Sequence, residues 1–232
     1  MTQGIIFDYG GTLDSRGVHW SEVIWAAYER VGVKVSKSQF REAYVYAERE
    51  LARVRHILPD DDFLSLLQKK MRIELSWLSA HGLLPAEHAE EMALAVAAEC
   101  DAQARACIAE ALPVLEILSA RYPLMLVSNF YGNVDSVLRG YGIRHFFKGI
   151  IESAVVGVRK PNPTLFKLGV DALELAAADV LVVGDSLKKD ILPAESLGCQ
   201  VLWLKGKGWT ADEDEQTHPR TITRIEQVLE YV

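Results

Sequence analysis

The chain has 232 residues, half of them hydrophobic, and a formal net charge of −7 from 25 lysines plus arginines against 32 aspartates plus glutamates. This is the balance of an ordinary globular protein of one large or two modest domains, and it argues against nonspecific nucleic-acid binding, which draws on clustered lysine and arginine. No apolar run reaches the roughly 18 residues of a membrane span, no leader pattern opens the chain, and Cys100, Cys107 and Cys199 show neither a CxxC pair nor a metal-ligand spacing, so reduced thiols and a cytoplasmic protein are expected.

The first predicted element is a strand over residues 3–8. Its apolar run Ile5-Ile6-Phe7 delivers one carboxylate, Asp8, into the glycine turn Gly10-Gly11, and Asp8 is the candidate nucleophile. From about residue 19 to 107 the texture is helical, rich in alanine, glutamate, arginine and leucine. Ser36 followed by Gln39 resembles a capping box ahead of an amphipathic helix to about Arg55. Pro59 and the run Asp60-Asp61-Asp62 break it and start another helix, which His81-Gly82 ends; Pro85 opens a further one, to about Ile108. Trp20, Trp25 and Tyr28 fall at helical spacing and read as packing residues of this bundle.

Beyond about residue 110, short β-rich runs at 124–128, 149–152, 180–184 and 200–204 alternate with helices, the pattern of a parallel sheet with right-handed crossovers. The strand at 3–8 belongs with them, which makes the helical block an insertion. The expected fold is α/β: a doubly wound parallel sheet from residues 1–16 and 108–232, with an inserted helical bundle over 17–107.

In open parallel sheets ligands bind beyond the carboxyl ends of the strands, near the point where strand order reverses. Asp8, Ser128 and Asp185 each stand at such an end. Two converging buried carboxylates need a cation, and magnesium suits oxygen donors. Asp8 and Asp185 are then the expected direct ligands, with Asp190 placed to orient metal-bound waters. None of the six histidines shows ligand spacing.

Four segments together resemble the haloacid dehalogenase superfamily, most of whose members are magnesium-dependent phosphatases: Asp8-Tyr9-Gly10-Gly11-Thr12; the strand ending in Ser128-Asn129; Lys160 in Arg159-Lys160-Pro161-Asn162-Pro163; and Gly184-Asp185-Ser186 followed by Asp190. The resemblance implies a Rossmann-like core, with residues 17–107 as the helical C1 cap that roofs the active site. It also implies an aspartyl-phosphate formed on Asp8, with Lys160 and Ser128 contacting phosphoryl oxygens. Gly10, Gly11 and Asn129 would border the substrate, and Asp8, Asp185, Asp190 and the Gly10 carbonyl would surround Mg²⁺. The implied substrate is a small phosphorylated metabolite; oligomeric state is not legible.

Gly10 departs from the family pattern, which has a second aspartate there to protonate the leaving group and activate water. Such acid–base catalysis is worth about 10² to 10⁴ in rate, so a weakened enzyme is physically allowed. Asp14 is the nearest carboxylate in sequence, but the chain after Thr12 is expected to lead toward the cap. Three alternatives stay open. One is a fold that binds without turnover. Another is a 2-haloacid dehalogenase, whose fourth segment lacks the acid pair seen at Asp185 and Asp190. The last is a phosphonoacetaldehyde hydrolase, for which Lys69 or Lys70 would have to form a Schiff base.

Overall fold

A computed structural model describes all 232 residues. Strand β1 (Gly4–Phe7) is followed by four consecutive helices, α1 (Trp20–Val31), α2 (Lys37–Arg53), α3 (Phe63–Ala80) and α4 (Ala86–Ser119). The chain then alternates: β2 (Leu124–Ser128), α5 (Val134–Gly140), β3 (Phe147–Glu152), α6 (Ser153–Val156), α7 (Thr164–Leu173), β4 (Val180–Gly184), a π turn (Leu187–Ile191), α8 (Leu192–Ser196), β5 (Gln200–Leu204), α9 (Ala211–Glu215) and β6 (Thr221–Ile222). The six strands form one sheet in the order β3-β2-β1-β4-β5-β6, and every pairing is parallel.

The strand sequences explain why the sheet is an interior layer. β1, β2 and β4 are buried at every residue, as an all-parallel sheet covered on both faces requires. Alternation then divides them: Ile5, Phe7, Leu126 and Val183 face the four-helix block, whereas Ile6, Val127 and Val182 pack with Phe166 of α7 and Ala194 of α8. The first of these cores is one cluster of 46 buried residues that includes Phe40, Leu67 and Leu75 of the helical block. Roof and sheet therefore share a single apolar interior.

Local signals set the helix ends. Ser36 and Gln39 form a reciprocal capping box, with Gln39 N donating to Ser36 Oγ at 3.3 Å and Ser36 N to Gln39 Oε1 at 2.8 Å. Asp62 caps α3 by accepting from Ser65 N at 2.8 Å, and Gly82 follows its end in the left-handed region. Three boundaries differ from expectation. α4 does not stop near Ile108: it runs unbroken through Pro113 to Ser119, carried by buried Ala111, Val114, Leu115 and Leu118. β3 starts two residues early, at Phe147, and the two-residue β6 extends the sheet beside Trp203 and Leu204.

Candidate active site

β1 lies at the sheet centre between β2 and β4, so strand order reverses beside it. Asp8 follows β1, Asp185 follows β4, and Asp190 lies on the π turn beyond. Oxygen atoms of these three carboxylates all lie within 4.8 Å of one another. The Asp8 amide donates to Val183 O at 3.0 Å, and Thr12 Oγ1 donates to Asp185 Oδ1 at 3.1 Å, which ties the glycine turn to the neighbouring strand end. Gly11 has φ +105°, and a Cβ there would collide with the Asp185 carboxylate. Only glycine fits both the conformation and the approach.

Lys160 comes from the loop between α6 and α7. Its Nζ donates to Asp8 Oδ1 and to Asp190 Oδ1, each at 2.7 Å. Its backbone is clamped by Asn129, whose Oδ1 accepts from Lys160 N at 2.9 Å and whose Nδ2 donates to Lys160 O at 3.1 Å. Asn129 thus spends both ends of its amide on placing the lysine. Asp190 also accepts from Ser186 N at 2.9 Å.

Three acids face one cation in this buried cluster. Burial raises the Asp185 carboxyl well above its usual range, and the charges of Asp190 and Asp8 push the same way. Asp190 is raised by burial and by Asp8, against the pull of Lys160. For Lys160 burial works against the charge, but Asp190 and Asp8 outweigh it and the net shift is upward. A divalent cation among the acids would relieve their repulsion, and an all-oxygen donor set fits a hard ion.

The acids open into a cavity of ≈ 550 Å³. Of the residues singled out in the sequence, Asp8, Gly10, Gly11, Asn129, Lys160, Asp185 and Asp190 line it. Ser128 does not: it closes β2 at 1% exposure, just behind the wall. A Cβ added to Gly10 meets nothing within 4 Å, so the position where the family pattern has an acid opens onto free space. Asp14 stays out of the wall, yet its side chain turns back, accepting from Gly11 N at 2.7 Å and from Trp20 Nε1 at 3.0 Å. Trp20 lines the cavity, whereas Trp25 and Tyr28 pack on Phe40 inside the helical block.

Sequence reasoning missed the far wall. His19, Tyr44, Glu48 and Tyr131 line the cavity, and Lys70 joins them there as the ion-pair partner of Glu48. Burial disfavours charge on Lys70, but Glu48 more than restores it and holds the amine protonated. Lys69 is bound to Asp61 at 2.5 Å. Neither lysine offers the free amine that a Schiff base needs. His19 shows no ligand spacing, and nothing in the one-dimensional pattern singles out Glu48, Tyr44 or Tyr131.

A parallel sheet with three carboxylates and a lysine at its switch point, beside a four-helix block, defines an α/β protein with a charged cavity at its strand ends. Comparison with known proteins gives the family. The sequence model described as haloacid dehalogenase-like hydrolase matches residues 2–198, and the chain belongs to that family. It is similar to a glyceraldehyde 3-phosphate phosphatase of Methanocaldococcus jannaschii, 37% identical over 92 residues, 39% of this chain and 40% of the relative. It is also similar to a phosphoglycolate phosphatase of Vibrio cholerae, 38% identical over 87 residues, 37% of this chain and 38% of the relative. The chain thus matches about 40% of the length of these curated relatives. In fold it resembles a 2-haloacid dehalogenase of Pseudomonas syringae, with a TM-score of 0.54 at 20% identity over 99% of this chain and 97% of the other. No helix is long and apolar enough to cross a membrane.

Proposed function

We propose that this protein is a magnesium-dependent phosphatase of small phosphorylated metabolites, acting through an aspartyl-phosphate on Asp8. The observation that carries the reading is the three-carboxylate cluster at the sheet switch point with Lys160 bonded to Asp8. Residues 1–16 and 108–232 serve as the catalytic core and residues 17–107 as the cap.

Asp8, Asp185, Asp190 and the Gly10 carbonyl would hold the metal, which when bound supplies positive charge to the phosphoryl oxygens. Asp8 attacks phosphorus, the bond from phosphorus to the alcohol oxygen breaks, and water later hydrolyses the acyl phosphate. Lys160 neutralises a phosphoryl oxygen, and the absence of a side chain at Gly10 lets the phosphate approach the turn unobstructed. Ser128, buried behind the cavity wall, would have to turn toward the seated substrate to hydrogen-bond a phosphoryl oxygen, and Asn129 keeps Lys160 in place. With glycine at position 10 the departing alkoxide takes its proton from water, so turnover favours good leaving groups.

A second reading, a binding protein that has lost turnover, is favoured by the open space at Gly10. Hydrolysis of p-nitrophenyl phosphate with magnesium, with chelator, and by Asp8→Asn separates the two. Metal-dependent turnover lost in the variant supports the phosphatase; the same background in all three supports the binder.

A further inference from the structure

The cavity is polarised. Arg159, Lys188 and Lys189 line it without an ion-pair partner, and they rise from the loops that carry Lys160 and Asp185, on the side where the phosphate would sit. The opposite wall, from the helical roof, carries the carboxylate of Glu48. That residue lies deep in the molecule, yet 36% of its side chain is accessible inside the cavity. Its Oε1 accepts from Lys70 Nζ and from Tyr131 Oη at 3.0 Å, while its Oε2 accepts only from Tyr131, at 3.2 Å. One oxygen therefore keeps acceptor capacity. Lys70 has none of its charge to spare: Glu48 holds it on one side and the Tyr44 ring, 4.3 Å from Nζ, on the other.

A complementary donor stands in the same wall. His19 Nδ1 lies 2.8 Å from Ser21 Oγ and 3.2 Å from Ser21 N; in the tautomer that accepts from both, the proton sits on Nε2, which has no protein partner. Burial disfavours the imidazolium and keeps the ring neutral. An acceptor and a donor among the faces of Tyr44, Trp20 and Phe63 suit hydroxyl groups on a carbon skeleton, since each hydroxyl both gives and takes a hydrogen bond. A carboxylate is acceptor-only: Lys70 offsets the charge of Glu48 from behind, but Oε2 has no proton to give, so two carboxylate oxygens would face each other there. Lys70 is nearly buried behind the pair and Glu48 is its exposed member, so the carboxylate is the face that a ligand in the cavity meets.

We infer that Glu48, held by Lys70 and Tyr131 and assisted by His19, selects substrates whose leaving group is an uncharged polyhydroxy alcohol, and rejects phosphates that carry a carboxylate. This rests on the phosphatase reading for its chemistry, but binding can be judged apart from turnover. In Asp8→Asn with magnesium, calorimetry should find ribose 5-phosphate bound at least about tenfold more tightly than phosphoglycolate, as a like-charge clash of 1.4 kcal/mol or more would give. Adding Glu48→Gln should bring the ratio toward one. Because that change leaves Lys70 unpaired, the double replacement Glu48→Leu with Lys70→Met provides a second route, with the same loss of preference expected and folding checked by circular dichroism. Equal or tighter binding of phosphoglycolate, or a ratio indifferent to both replacements, overturns the inference. Failure of the wild-type protein to hydrolyse p-nitrophenyl phosphate would strike the phosphatase reading alone, since the binding ratio still decides this one.

Discussion

Lys160 and Asp8, 152 residues apart in sequence, are joined by a hydrogen bond of 2.7 Å between the ammonium and the carboxylate Oδ1. The same ammonium reaches Asp190 at 2.7 Å, so one cation holds two of the three clustered acids. Breaking a buried ion pair by deleting one partner costs about 3–5 kcal/mol. Lys160→Met should therefore lower stability by about that amount in chelator. Magnesium should recover more of the loss in the variant than it adds to the wild type, read as paired melting curves with and without the ion.

Position 10 can accept a side chain. Its backbone lies outside the left-handed region and the space beyond is open. Gly10→Asp should leave the melting temperature nearly unchanged and raise turnover of alkyl phosphates by about 10² to 10⁴, the usual worth of a positioned acid. The gain for p-nitrophenyl phosphate should be much smaller, because that leaving group needs little protonation. A uniform gain on both substrates would contradict the assignment.

Gly11 is the opposite case. Gly11→Ala combines a left-handed backbone, costing about 1–2 kcal/mol for an L-residue, with a collision at the Asp185 carboxylate. Urea unfolding should show Gly11→Ala strongly destabilised and Gly10→Ala close to wild type.

The helical block carries its own pH dependence. Glu74 is fully buried, its Oε2 accepts from Tyr28 Oη at 3.0 Å and its Oε1 has no partner. Burial raises its carboxyl from 4.5 to about 7. Between those values the folded protein retains a proton that the unfolded chain has released, so stability falls as pH rises through this window and levels off above it. The full effect is about 3 kcal/mol. Urea midpoints across that range should slope downward for the wild type and much less for Glu74→Gln.

What the sequence disclosed follows physical lines. β1, β2, β4 and β5 are nearly continuous apolar runs because both sheet faces are covered, and the strand-end acids with Lys160 stand where such a fold puts its chemistry. β3 was read short because exposed Lys148 interrupts its apolar pattern. The two residues of β6 exist as a strand only through pairing with β5. α4 outran its expected end because buried side chains on both sides of Pro113 outweigh one missing hydrogen bond. Glu48, Tyr131 and His19 come from three separate segments and acquire meaning only once folding brings them to one wall.

Helix α4 ties the helical block to the sheet. Because it runs without a break from Ala86 to Ser119, lifting the four helices as a rigid flap would either bend it or pull buried Val114, Leu115 and Leu118 out of the shared apolar cluster.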